Sequence, residues 1–146
     1  MSGDVNDGLS RLLHSIELQD IRPMAIHSES LGPSPVQGSE IQLEWIQSFA
    51  DGDPLAPIPE TRVFRPKYDL KAAHDGQAFF KQQSIFAVAF RVIDIPTFDE
   101  VWMDGDIRKA FMEKQLQRTM WPLFRQHVHD GMSRLGMVPV PLPWLM

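Results

Sequence analysis

The sequence predicts an α+β fold, a four-stranded antiparallel sheet with a long C-terminal helix packed on one face. Three observations predict it: apolar residues alternate with period two in runs up to Ile93, an Asp-Gly turn joins two of those runs, and a period near four takes over after Pro96. With 146 residues, 43% of them hydrophobic, and no cysteine, one domain can bury a sizeable core without disulfides or a structural metal.

Residues 1–10 are mostly small and polar and are expected to form a flexible terminus, leaving a single domain over residues 11–146. Ile16 and Leu18 alternate with Glu17 and Gln19, and Ile21 and Ile26 follow. The run predicts a long strand with a break near Pro23, which has no N–H for a ladder. Residues 28–39 gather Ser, Gly and Pro and predict a crossover loop. Ile41, Leu43 and Trp45 alternate with Gln42 and Glu44 as in a half-buried strand.

After a proline-rich loop, residues 63–72 and 77–93 flank His74-Asp75-Gly76, where Asp-Gly supplies the positive φ angles of a tight hairpin. The second of these strands is apolar on both faces, which predicts a central position covered on each side by helix, sheet or another subunit. Beyond Pro96, Leu116, Met120, Phe124, Val128 and Met132 recur every four residues, and Leu123 and Leu135 widen the stripe. Pro122 would clash with the Arg118 carbonyl in a continuous helix, so a kink or a new helix from Trp121 is expected. Gly136 is the expected C-cap, and Pro139, Pro141 and Pro143 predict an extended exit segment along a surface.

The chemistry of catalysis is missing. There is no Gly-rich phosphate loop, no GxSxG elbow and no metal-spaced cluster, which predicts a protein that is not an enzyme and needs no cofactor. His127 and His129 form an HxH, but residues two apart on a helix point to different sides and cannot share a metal. His74 beside Asp75 is explained by the turn, and Asp99, Glu100, Asp104 and Asp106 by a loop and helix start.

The net charge of −5 is uneven: residues 1–60 carry 10 acidic and 2 basic residues, net −8, and residues 61–146 carry 9 and 12, net +3. An acidic amino-terminal half argues against a broad nucleic-acid footprint. No apolar run approaches the roughly 20 residues that span a bilayer, and the start lacks a basic segment followed by an apolar core. No membrane insertion and a cytoplasmic location are expected.

What remains is binding surface. Trp102, Phe111, Trp121, Phe124 and Trp144 share the carboxy-terminal half with Met103, Met112, Met120, Met132 and Met137. Taken singly these fit a core or an oligomer seam, but together they suit a surface that accepts many apolar shapes. One helix covers only part of a four-stranded sheet, so apolar area is left for another chain, a copy or a client.

Several segments, in order, resemble the SecB family of bacterial protein-export chaperones. IELQDI at 16–21 is similar to the start of that family's first strand, EIQLEW at 40–45 to its second, and DGQAFFKQQSIFAVAF at 75–90 to its third hairpin. WPLFRQHVHDGMSRLGMVPVPLP at 121–143 resembles the family's helix and proline-rich exit, most specifically at Trp121, Pro122, Arg125, Ser133 and Arg134.

The resemblance implies an ATP-independent holdase for non-native polypeptides in protein export, assembled as a homotetramer from a dimer of dimers. Client-groove candidates are Leu31 and Val36 in the crossover loop together with Trp102, Met103, Phe111, Met137 and Trp144. The helix is implied at a subunit interface, with Met120, Trp121, Phe124, Val128 and Met132 as its candidates. In the family, acidic sheet positions contact the zinc-bearing tail of the export motor SecA. Glu29 and Asp75 match two of these positions, and Ala25 fills a third. Family members continue past the proline-rich exit into a second helix, whereas this sequence stops at Met146, which implies a more open groove. Two alternatives stand beside export: a dedicated chaperone of an antitoxin, as some SecB-like proteins are, and a structural or adaptor oligomer without clients.

Overall fold

The computed structural model describes residues 2–36, 38–49 and 53–142, with side chains from Val5 onward. The chain forms α1 (Ser2–His14), β1 (Ile16–Ser30), β2 (Gln42–Phe49), β3 (Thr61–Phe64), β4 (Pro66–His74), β5 (Gln77–Val92), α2 (Ile95–Trp102), α3 (Gly105–Ala110), a π-turn (Phe111–Gln115) and α4 (Leu116–Arg134). The fold is α+β, with one antiparallel sheet in the order β1-β5-β4-β2.

The central position expected for the apolar run belongs to β5, which pairs β1 on one side and both β4 and β3 on the other. The strand expected over residues 63–72 is divided at Arg65, because Pro66 cannot donate to the ladder; its two pieces pair successive halves of β5. The sheet therefore has five strands instead of four. The break expected near Pro23 is a register shift between Pro23 and Ala25, with another between Leu18 and Asp20, and β1 continues through both. Asp75 (φ 49) and Gly76 (φ 76) make the hairpin turn that Asp-Gly predicts.

Period-two alternation sorts β5 into two faces. Phe80, Phe86, Val88, Phe90 and Val92 are buried under the helices, and among the described residues only this face receives a full layer. On the other, Lys81, Gln83 and Arg91 are exposed while Ile85, Ala87 and Ala89 are half-buried, so the described residues do not supply the expected cover on this side. Met120, Trp121, Phe124, Val128 and Met132 are fully buried on the covered face. Trp121 meets Trp45 with ring centroids 4.6 Å apart, and Phe124 stacks on Tyr68 at 4.4 Å. The stripe read as an oligomer seam thus packs on the chain's own sheet. Leu123 is half-buried at its margin, and Leu135 lies outside it, exposed.

α4 runs through Pro122. The proline is exposed, so the Arg118 carbonyl that loses its N–H partner faces the solvent side, where water can satisfy it. Gly136 (φ 75) ends the helix as expected.

The amino terminus departs most from expectation. Where a flexible end is predicted, α1 docks on α2 and α3: Leu12 is fully buried, Arg11 reaches Glu100 at 3.1 Å, and Gly8 leaves no room for a Cβ beside Ile107. Val5, Leu9, Leu12 and Leu13 carry helical spacing, masked in the sequence by the low helix propensity of Gly8.

His127 packs edge-on against Phe86 at 5.3 Å, and partial loss of water holds its imidazole below 6.5, against the opposing pull of Asp130. The unfolded chain therefore binds this proton more readily than the folded one. Stability is full above about pH 6.5 and falls as the pH drops through that value toward the lower folded one. His127→Gln is expected to flatten this acid limb, read as the difference in urea midpoint between about pH 7.5 and about pH 5.5; an unchanged difference would place the acid sensitivity elsewhere.

Candidate functional site

The exit segment after α4 is pinned by its own backbone and by alternate side chains. Met137 N–H donates to the Met132 carbonyl at 2.9 Å, Arg125 Nε donates to the Leu142 carbonyl at 3.1 Å, and Met137 and Leu142 are buried. Alternation leaves Val138 turned outward, 57% exposed, with Val140 half-buried. Pro139 and Pro141 have no N–H to present, so the segment resists capture as a new strand.

The crossover loop runs beside it. Pro35, Val36 and Ile41 from the loop and Val138, Pro139 and Val140 from the exit segment line an open trough with a volume ≈ 260 Å³. Val36 is 80% exposed at its rim. A trough of aliphatic and proline side chains, with few polar groups to fix one orientation, suits apolar side chains of an extended chain. A second apolar depression, ≈ 230 Å³, lies beside β1 between Leu13, Leu18, Phe90, Phe111 and Leu116. Among the described strands β1 pairs only β5, so its other edge is free alongside this depression.

The structure distributes the sequence-derived groove residues. Val36 lines the trough; Leu31 is exposed where its N–H donates to the Phe79 carbonyl. Met103 is exposed at the turn between α2 and α3, while Trp102 is half-buried and stacked on Phe98 at 5.4 Å. Phe111 and Met137 are core residues, and Trp144 lies outside the described residues. Ile41, Val138 and Val140 escaped the sequence reading, although the alternation of Val138, Val140 and Leu142 carries the signal.

Of the acidic pair, Glu29 accepts from Lys81 at 3.3 Å and faces His27 at 3.7 Å, whereas Asp75 is exposed at the hairpin tip. His74 Nδ1 donates to the Glu40 carbonyl at 2.8 Å, tying the hairpin to the end of the crossover loop. His127 and His129 diverge: the first lies against Phe86 and the second is exposed beside Asp130. Among the described residues no group of three or more His, Asp or Glu could hold a metal ion, and no helix is long and apolar enough to cross a membrane.

No family model matches the sequence, and no curated protein matches it. Among solved structures, a SecB-like chaperone from Mycobacterium tuberculosis, in complex with a ChAD peptide from the HigA1 antitoxin, is similar in fold, with a TM-score of 0.74. It is 22% identical in sequence, and the match covers 97% of this chain and 99% of that one. The fold is SecB-like.

Proposed function

We propose that this protein is an ATP-independent chaperone that holds an extended, non-native polypeptide segment, and that its client is an antitoxin in preference to a general stream of exported precursors. The observation that carries the reading is the open aliphatic trough between the crossover loop and the exit segment, with Val36 and Val138 unburied. Exposed aliphatics gathered in a concavity retain the free energy of burial for a partner, about 1.5–3 kcal/mol for each side chain fully covered. The antitoxin preference is supported by the peptide held by the structurally similar mycobacterial chaperone.

Self-association belongs to the same reading. The free edge of β1 is a template for strand pairing with a second copy, and α4 offers an outward face with Arg118, Gln126, His129 and Ser133 exposed. Both together would build a homotetramer from two dimers in the cytoplasm. For SecA, the prior engagement of Glu29 by Lys81 and His27 leaves Asp75 as the less encumbered contact.

The test uses the full chain with two substrates, a fluorescent ChAD peptide and a chemically unfolded, unrelated protein that aggregates on dilution, while light scattering reads the assembly mass. The reading expects the peptide to bind and Val36→Ser/Val138→Ser to weaken it by about ten-fold, a loss near 1.4 kcal/mol. Suppression of unrelated aggregation with no peptide binding would restore general export. Neither activity, from a well-formed oligomer, would leave an adaptor without clients.

A further inference from the structure

The two walls of the aliphatic trough belong to different parts of the fold. The crossover wall closes a turn on itself, Ser39 N–H donating to the Val36 carbonyl at 3.0 Å, and its end is tied to the hairpin by His74 Nδ1, 2.8 Å from the Glu40 carbonyl. The exit wall is bonded to α4, and among the described residues no hydrogen bond joins one wall to the other. How the exit wall is held on α4 therefore sets the width of the trough. Its start is fixed by the helix end, where Gly136 N–H donates to the Ser133 carbonyl at 3.1 Å and Met137 N–H to the Met132 carbonyl at 2.9 Å. Its far end is fixed by Arg125 Nε, which donates to the Leu142 carbonyl at 3.1 Å. Between these anchors lie Val138, Pro139, Val140 and Pro141, which face the trough.

This middle stretch has little to hold it. Pro139 and Pro141 have no N–H, and Val138 is turned outward. Among the described residues the stretch makes one hydrogen bond, from Val140 N–H to the Met132 sulfur at 3.3 Å. A thioether is a weak acceptor, but Val140 is half-buried, where an N–H without any partner is costly, so the bond is kept. Met132 itself is fully buried on the helix face that packs on the sheet. One side chain thus fills the core and reaches the wall of the trough from behind.

We propose that Met132 is a positioning residue of the trough: its sulfur holds Val140, and through the adjoining peptide planes Val138, at the distance from the crossover loop that receives a client side chain. This role rests on the reading of the trough as the client site. Burial in the core does not require it, since Met120 is equally buried on α4 with no hydrogen bond at its sulfur among the described residues. Leucine fills the place of a buried methionine with little loss of packing but offers no acceptor. In Met132→Leu the Val140 N–H regains a partner only by turning to water, which carries Val138 and Val140 away from their places on the wall.

The test reads hydrogen exchange of the Val140 amide, the methyl signals of Val138 and Val140, and binding of the fluorescent ChAD peptide, all on the full chain. Met132→Leu is expected to speed Val140 exchange about ten-fold, to shift both methyl signals and to weaken the peptide about three- to five-fold. Met120→Leu, the same substitution without the bond, leaves exchange and affinity within about two-fold. Val140→Pro removes the donor from the surface side, so it decides the matter should Met132→Leu not fold. It is expected to weaken the peptide to the same extent, and Met132→Leu then adds nothing further in that background. An unprotected Val140 amide in the wild-type chain, undiminished affinity in Met132→Leu or in Val140→Pro, an equal loss in Met120→Leu, or a full further loss from Met132→Leu on top of Val140→Pro would each overturn the proposal. Failure of the wild-type chain to bind the peptide would instead sink the client reading; Val140 exchange and the methyl shifts need no client and still decide whether Met132 sets the wall.

Discussion

Trp121→Ala is expected to lower the unfolding free energy by about 3–5 kcal/mol, the cost of emptying a large aromatic site in a packed core. The side chain is only 2% exposed and touches Trp45 on β2 and Phe124 one turn along α4. Its removal uncovers more of the already half-buried Trp45 and loosens α4 from the outer strand, so the loss reaches both layers. A domain of this size has about 5–15 kcal/mol to lose, and the variant should unfold at a clearly lower urea concentration. The dependence on protein concentration separates two origins. A core residue gives the same loss at every concentration, whereas a residue at a seam between copies gives a loss that grows on dilution. A strong concentration dependence would return Trp121 to the interface to which the family resemblance assigns it.

Gly131→Val should be comparably damaging, by about 2–3 kcal/mol, for the opposite reason. Gly131 faces inward on α4, and a Cβ there would fall on the Gln82 amide and the Ser28 hydroxyl. Neither can step aside cheaply. Ser28 Oγ donates to Gln82 Oε1 at 2.7 Å, Gln82 Nε2 donates to Ser84 Oγ at 3.1 Å, and Gln82 and Ser84 are buried, so a displaced amide loses its partners without gaining water. Gln82→Leu/Gly131→Val would remove the polar requirement but keep the overlap. If the single and double variants are equally unstable by urea unfolding, steric overlap dominates; recovery in the double variant would assign the cost to the broken polar chain. A wild-type midpoint in Gly131→Val would refute the close approach itself.

Much of the architecture was legible in the residues because it follows from local periodicity. Alternation of Ile41, Leu43 and Trp45 with Gln42 and Glu44, positive φ at Asp75 and Gly76, and the every-fourth-residue stripe of α4 are each decided within a few residues of chain. α1 was not legible. Its stripe is short, and Gly8 counts against a helix until Ile107, ninety-nine positions along the chain, supplies the surface that needs a missing Cβ. The division of the third expected strand into β3 and β4 likewise depends on which half of β5 each piece meets.

The candidate sites were less legible than the fold. Hydrophobicity marks Phe111, Met137 and Val36 alike, yet the first two close the core and the third stands in solvent. The same ambiguity covers α4: its pattern announces a buried face, and a buried face can meet its own sheet or a second copy with identical periodicity. Cross-strand charge neighbours are equally invisible along the chain: Glu29 and Lys81 form an ion pair only because strand register sets β1 against β5. By itself the sequence determined the class of fold, the central strand, the hairpin and the inward side of the long helix, because periodicity and turn chemistry are local. Only the tertiary structure decided what each buried face packs against, which apolar residues remain free and which charges stand together, because these depend on contacts between segments far apart in the chain.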